Sequence, residues 1–444
     1  MRLKNIIQKL LLSVVMTSAA IFTVSCEDEP DKYEIAGGTP EIIYIRTVSN
    51  PDSLITAAYT GSIIAICGNN LRSVVELYFN DQKATLNTSY MTDHTIIVDV
   101  PSALPNNPTD KIYMVNKDGV TTSYDFSVTI PAPTLSNMLC EIVKPGEVAT
   151  INGDYLLDYE DYPMVIEMPD GQTITDFTKQ SQYSVSFVVP EGCTKSGAIT
   201  VTTKYGSTVS SLFNFNDKRG LLFDFDGETG LGNHGWHNAV IASDENSIDG
   251  NYMQLGDGSS TMDDATWNDS QFAFEYWPGN WEDPETYTAV DGIRLTDLVD
   301  FTDYSNMAFK FELCVPSSNS WSAGALQVIP AGVEYVSYGS AQTDAYGNAA
   351  AGCNNTYVSG DECPRALYRP WVSDGSYDTG DKWVTVTLPI GTDFKYGYSG
   401  DAATGSLNSE SFTSLVFFLC GGGVSGTECT PVLKIDNIRA VPYK

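Results

Sequence analysis

The chain has 444 residues, 42% hydrophobic and 18% charged, which is too apolar for a disordered protein and too polar for one embedded in a bilayer; this length suits about three domains of roughly 150 residues. A formal net charge of −32 repels phosphates and argues against nucleic acid and anionic membrane surfaces as partners. A neutral ligand meets no such penalty.

The N-terminus reads as a targeting segment. Arg2, Lys4 and Lys9 form a basic region, and the apolar run from Leu10 to Ile21 is too short to span a bilayer comfortably. Thr23-Val24-Ser25-Cys26 follows, a small residue and then Cys, which resembles a bacterial lipobox. That resemblance implies a signal peptide over 1–25 and lipidation at Cys26; the alternative is an ordinary secretory peptide with a chance Cys. The acidic residues Glu27, Asp28, Glu29 and Asp31 resemble the surface-export signal of Bacteroidetes lipoproteins. No later window holds the roughly 18 apolar residues of a spanning helix, so the lipid would be the only membrane anchor. Residues 26–39 are polar and irregular and read as a lipidated tether.

Two stretches then follow one plan. Gly61-Ser-Ile-Ile-Ala-Ile-Cys-Gly68 is matched by Gly146-Glu-Val-Ala-Thr-Ile-Asn-Gly153. Each is followed by an apolar strand ending in Pro, Thr95 to Pro101 and Tyr183 to Pro190, and then by a strand and a Gly turn, Ile112 to Gly119 and Ile199 to Gly206. Short strands at this spacing predict an all-β sandwich, and their recurrence predicts two copies of one unit. Each Gly is expected to supply a positive-φ turn. The pattern resembles the IPT/TIG immunoglobulin-like family, with one domain over 40–131 and a second over 132–217. Neither has a Trp or a cluster of His or Cys, and Pro131-Ala-Pro133 restricts the joint, so both read as a semi-rigid spacer.

A third unit, 218–444, opens on Leu-Leu-Phe-Asp-Phe-Asp-Gly227 and closes on Leu433-Lys-Ile-Asp-Asn-Ile-Arg-Ala-Val441. Strands are predicted at Phe272 to Tyr276, Met307 to Val315, Ala325 to Ile329, Trp383 to Pro389 and Ser414 to Leu419. With loops rich in Gly, Asn, Asp and Ser they predict a jelly-roll β-sandwich. The first and last strands resemble those of galactose-binding-like carbohydrate-binding modules. That resemblance implies that the two strands pair and that their acidic residues, Asp224, Asp226 and Asp436, hold a structural calcium ion.

The chain has nine Cys and no CxxC motif, so neither a zinc ribbon nor a thioredoxin-type site is supported. Cys353–Cys363 and Cys420–Cys429 either close short loops as disulfides or pack as buried thiols, the second reading being favoured for Cys420.

All seven Trp lie at or after Trp236. Trp383 sits on an alternating strand and reads as core. Trp277 and Trp281 flank a Pro-Gly turn, Trp321 follows Ser317-Ser-Asn-Ser, Trp371 follows Arg369-Pro370, and Tyr335 and Tyr338 end a strand. These six are the expected ligand platform. A pyranose has one apolar C–H face that packs on an indole, and aromatic side chains lose little rotamer entropy on binding.

The order of lipobox, acidic run, tandem repeats and terminal jelly roll resembles the Bacteroidetes surface glycan-binding proteins with a distal xyloglucan- or β-glucan-binding domain. The resemblance implies a non-catalytic protein, lipid-anchored on the outside of the outer membrane, that captures polysaccharide beside a SusCD-like transporter through Trp and Tyr on the terminal domain. The competing reading is a surface adhesin whose terminal domain binds another protein. A glycoside hydrolase is a distant third: the sequence has no Glu-x-Asp-x-x-Glu strand, no G-x-S-x-G, no HExxH and only three His. His234 and His237 lie three apart with no third metal ligand in view.

Overall fold

The computed structural model describes residues 33–232, 239–278, 292–332 and 358–444. The chain divides into two compact units, Met1–Ile130 and Pro131–Lys444. The division falls between 130 and 131, where the first repeat was expected to run to 131. The second expected boundary, at 217/218, falls inside the second unit. Among the described residues no helix is long and apolar enough to cross a membrane.

In the first unit the strands Glu41–Thr47, Ile63–Asn69 and Thr95–Asp99 form one antiparallel sheet, with Ile63–Asn69 in the middle. A four-stranded sheet runs in the order Gln82–Lys83, Val74–Phe79, Lys111–Asn116, Thr121–Asp125. Alternation along these strands buries Ile64, Ile66, Leu77, Phe79, Ile96 and Ile112, and Phe126 meets Phe79 edge-on at 6.0 Å. Residues 33–39, expected to belong to the tether, lie against this unit: Tyr33 donates its hydroxyl to the Arg72 carbonyl and Arg72 donates to that of Glu34.

The repeated glycines do two different jobs. Gly61 and Gly146 have φ of 76° and 86°, the positive-φ turns expected. Gly68 and Gly153 do not. There a neighbouring strand passes so close that a Cβ would stand 1.9 Å from the Glu41 carbonyl oxygen in one copy and 1.9 Å from that of Thr134 in the other. Both contacts fall where the pairing register slips, between Ile42 and Tyr44 and between Leu135 and Asn137. The second glycine of each pair is therefore required by a β-bulge rather than by φ.

The second unit begins with the second repeat. One sheet has the order Thr134–Met138, Val148–Asp154, Ser184–Val188, Lys179–Ser181, and the other Thr173–Ile174, Val165–Glu167, Thr200–Thr203, Gly206–Val209. Ile151, Ile166, Phe187, Val201, Phe213 and Phe215 fill its core. The rest of the unit is a larger sandwich. Its six-stranded sheet has Leu433–Pro442 near the centre, paired with Tyr252–Leu255, Met307–Cys314 and the opening strand Leu221–Phe223. The expected pairing of first and last strands is thus present. The facing sheet runs Ala273–Tyr276, Ser414–Cys420, Ala325–Ala331, Ala366–Tyr368. Rings from the two sheets meet in the core: Phe311 with Phe417 at 5.3 Å and Phe223 with Phe274 at 5.3 Å.

Where the second repeat meets this sandwich, charge is buried. Glu141, Lys310, Glu312 and Arg439 are all nearly inaccessible to solvent. Lys310 pairs with Glu141, while Arg439 pairs with both Glu141 and Glu312. Thr385 completes the junction, donating its backbone N–H to the Leu139 carbonyl and accepting at its hydroxyl from the Glu141 N–H. Two anions and two cations close on one another, which is the condition under which buried charge is tolerated.

Candidate functional site

Three of the expected platform residues are in the interior. Trp277 is 1% exposed, Trp321 0% and Trp371 3%. The reason is visible at one turn. Trp321 donates its indole N–H to the Ala323 carbonyl at 2.8 Å, and Trp371 donates to the Gly324 carbonyl at 2.8 Å. Two indoles thus satisfy the backbone of one turn, in which Gly324 has φ of 72°. Tyr368 and Tyr377 pack on Trp321 at 6.0 and 6.4 Å. These rings pin a loop to the core and do not face solvent. Trp281, Tyr335 and Tyr338, and likewise Trp236, His234, His237, Cys26 and the signal segment, lie outside the described residues.

The expected calcium triad is not assembled. Asp224 accepts the backbone N–H groups of Asp226, Gly227 and Glu228 at 3.0–3.2 Å, so its carboxylate holds the turn after the opening strand. Asp226 accepts from the N–H and the side-chain amide of Asn251 at 2.9 and 2.6 Å. Asp436 is 1% exposed, and its Oδ1 accepts the Asn437 N–H at 2.8 Å. Among the described residues no group of three or more His, Cys, Asp or Glu side chains is placed to hold a metal. Cys420 and Cys429 are free thiols, and Cys353, the expected partner of Cys363, lies outside the described residues.

Among the described Trp residues the one that faces solvent was not among those six. Trp267 is 43% exposed. It precedes the short helix Asp269–Phe272 that leads into the strand Ala273–Tyr276. The turn before it is fixed by Asp263, which accepts from the Thr266 hydroxyl at 2.7 Å and from the Ala265 N–H at 3.0 Å. Those bonds hold the Asp263 carboxyl below its ordinary value. The indole stands perpendicular to Phe418 at 4.8 Å and leans on Tyr398 at 5.8 Å. Phe418 belongs to the second strand of the four-stranded sheet, on the surface opposite the one that carries Phe274 and Phe417 into the core.

Polar groups share that surface. Gln327 is level with Phe418 in the register. Its amide donates to the Cys420 carbonyl at 3.0 Å and accepts from Arg365 at 2.9 Å. Arg365 also donates to the carbonyls of Val358 and Gly360, at 2.6 and 2.7 Å, and so fixes the segment that begins at Val358. Asp264, beside Trp267, accepts the Gly426 N–H at 2.8 Å. The result is an exposed indole braced on a buried ring of the scaffold strand; Gln327 and Arg365 are themselves fully buried, and Asp269 accepts from the indole N–H at 3.4 Å. A ring so held offers its face to a flat apolar ligand surface. Sequence reasoning passed over Trp267 although one signal was present: it sits in Asp263-Asp264-Ala-Thr-Trp267-Asn-Asp269, a polar run that no strand pattern claims. Trp383, read as core, is half-buried, packs on Tyr252 at 5.8 Å and donates to the Asn246 carbonyl at 2.7 Å.

With this geometry in view, the chain can be compared with known proteins. Residues 215–442 match the family model described as the surface glycan-binding protein B xyloglucan binding domain, and residues 47–128 match the IPT/TIG domain model. The crystal structure of the surface glycan-binding protein B of Prevotella bryantii is 43% identical and superposes with a TM-score of 0.82, covering 92% of this chain and 100% of that one. An IPT/TIG domain-containing protein of Bacteroides ovatus is 28% identical over 220 residues, 46% of this chain and 44% of the relative. The chain therefore matches less than half the length of that curated relative.

Proposed function

The chain belongs to the surface glycan-binding protein B family, a family of non-catalytic glycan-binding proteins of the cell surface, and from that membership we propose that its terminal sandwich captures a β-linked glucan backbone, with xyloglucan the favoured ligand. The family model that spans 215–442 carries this reading. The chemistry of Trp267 supports it: an indole held upright on Phe418 and Tyr398 offers the flat face that a pyranose C–H surface needs. Trp281, Tyr335 and Tyr338 remain members of the proposed platform on sequence grounds alone. The two repeats act as a spacer, a lipid on Cys26 anchors the chain to the outer membrane, and the captured glycan passes to a SusCD-like transporter.

Affinity gel electrophoresis of residues 27–444 tests the proposal. The gels contain xyloglucan, mixed-linkage β-glucan, laminarin, xylan, mannan or starch. Retardation on xyloglucan, weakened by Trp267→Ala, is the expected outcome. Free migration on every gel would favour the competing reading of a protein-binding adhesin.

A further inference from the structure

The two rings that brace Trp267 are held in different ways. Phe418 lies in the strand Ser414–Cys420, which is paired on both sides, so the sheet fixes it. Tyr398 lies in a turn. There Gly397 donates its N–H to the Asp401 carbonyl at 2.9 Å and Gly400 donates to that of Gly397 at 3.2 Å, while isolated bridges join Tyr396 to Arg365 and to Ala402. A turn held by a few bonds opens more readily than a strand inside a sheet. The pose of the indole therefore depends on what ties the Tyr398 turn to the sheet.

One buried side chain makes that tie. The backbone of Arg365 exchanges both hydrogen bonds with Tyr396, at 2.9 and 3.2 Å. Its Nη2 donates to the Gly360 carbonyl at 2.7 Å, and the same carbonyl accepts the Tyr398 N–H at 3.3 Å. Its Nη1 donates to Gln327 Oε1 at 2.9 Å. Gln327 passes the connection on: its Nε2 donates to the Cys420 carbonyl at 3.0 Å, and the residue is the register partner of Phe418. One guanidinium thus reaches the Tyr398 turn with one nitrogen and the Phe418 strand with the other. A Cβ at Gly421 would stand 3.8 Å from both Gln327 Nε2 and the Tyr398 ring, so the brace lies beside the ring it holds. The planar fork of an arginine suits acceptors set apart in this way, whereas a lysine offers a point charge. Burying a cation is costly, and an apolar residue of similar volume often fills such a space as stably. Packing alone does not call for an arginine here.

We propose that Arg365 is a positioning residue of the glycan platform: it locks the Tyr398 turn to the strand of Phe418 and so sets the angle at which Trp267 presents its face. The proposal rests on Trp267 belonging to that platform. Arg365 is 0% exposed and acts through the rings, without touching the ligand. The indole meets Phe418 at 90° and Tyr398 at 60°, so a shift of the Tyr398 turn removes one of its two supports and frees it to tilt. A face held in its binding pose beforehand has less freedom to lose when a ligand arrives.

The test compares wild type, Arg365→Lys, Gln327→Leu and Glu141→Gln in residues 27–444, each well below its own unfolding midpoint. Two quantities are read: affinity for xyloglucan oligosaccharide by calorimetry, and the near-UV circular dichroism of Trp267, taken as the difference between each protein and its Trp267→Ala counterpart. A fixed indole gives such a signal and a loosened one loses it. Arg365→Lys should lose the Trp267 signal and bind about fivefold more weakly or worse, the scale of one or two lost hydrogen bonds. Gln327→Leu, which cuts the arm to the strand and leaves Arg365 in place, should change both in the same direction, and it decides the matter if Arg365→Lys does not fold. Glu141→Gln weakens the distant junction instead and should keep the wild-type signal and affinity. A wild-type signal in Arg365→Lys or in a folded Gln327→Leu, or an equal loss in Glu141→Gln, would overturn the proposal. A wild type that binds no xyloglucan oligosaccharide would contradict the proposed ligand instead, and the Trp267 signal would still decide whether Arg365 sets the ring.

Discussion

Lys310 donates to the Glu141 carboxylate across 2.5 Å, although 169 positions separate the two in sequence. Glu141 comes from the second repeat and Lys310 from a central strand of the terminal sandwich, so this contact makes those two parts one unit. Arg439 and Glu312 close the network. Removing one member of a buried pair strands its partner and costs about 3–5 kcal/mol. Lys310→Met and Glu141→Gln should each lower stability by that order. The double variant leaves Arg439 opposite Glu312 with charge balanced, so its loss should fall clearly short of the sum. Chemical denaturation of the four proteins checks this.

Acid should loosen the same junction. Burial alone would push the Asp217 carboxyl up, but Arg219, bonded to it at 2.8 and 2.7 Å, outweighs burial and holds the carboxyl below its ordinary value. A carboxyl depressed in the folded state contributes stability above its unfolded pKa of about 3.9, and that contribution is lost as pH falls through the folded value. The stability gap between wild type and Asp217→Asn should therefore be largest near neutrality and close below about pH 4. Denaturation midpoints measured across that range give the answer.

The glycines separate two kinds of constraint. At Gly61 a Cβ would meet nothing nearer than the Ser102 hydroxyl at 3.6 Å, so Gly61→Ala costs only the positive-φ penalty, about 1–2 kcal/mol. At Gly68 and Gly153 the Cβ collides with backbone at 1.9 Å, and the strands must move apart. Gly68→Ala and Gly153→Ala should cost more than Gly61→Ala, about 3 kcal/mol or more, as read from unfolding midpoints.

Much of the fold is legible in the sequence because it is written locally. The doubled Gly spacing, the Pro-terminated strands and the alternating runs of the terminal domain all concern neighbours along the chain. The strand predicted from Met307 to Val315 is observed as Met307–Cys314. Trp exposure is not local. Trp321 follows a polar Ser-rich run and looks like a loop residue, yet its N–H is needed by a carbonyl two residues on and its ring by Tyr368. The buried charges are equally silent, since nothing around Glu141 announces a partner in a distant strand. The acids at 224 and 226 show the reverse error: carboxylates that look like ligands are occupied by nearby N–H groups.

Trp321 and Trp267 should accordingly fail in different ways. Trp321→Ala removes a fully buried indole and should cost about 3–5 kcal/mol of stability. Trp267→Ala, at a 43% exposed position that packs on Phe418 and Tyr398, should cost about 1 kcal/mol, well short of Trp321→Ala. Thermal scans of both variants are sufficient.

The most direct test of the account is calorimetric titration of xyloglucan oligosaccharide into residues 27–444, wild type against Trp267→Ala, with folding matched by thermal scan. Saturable heat is expected for the wild type, with a loss of affinity of about tenfold or more for the variant. Equal affinity in the two proteins would remove Trp267 from the platform, and no heat with the wild type would contradict the proposed ligand.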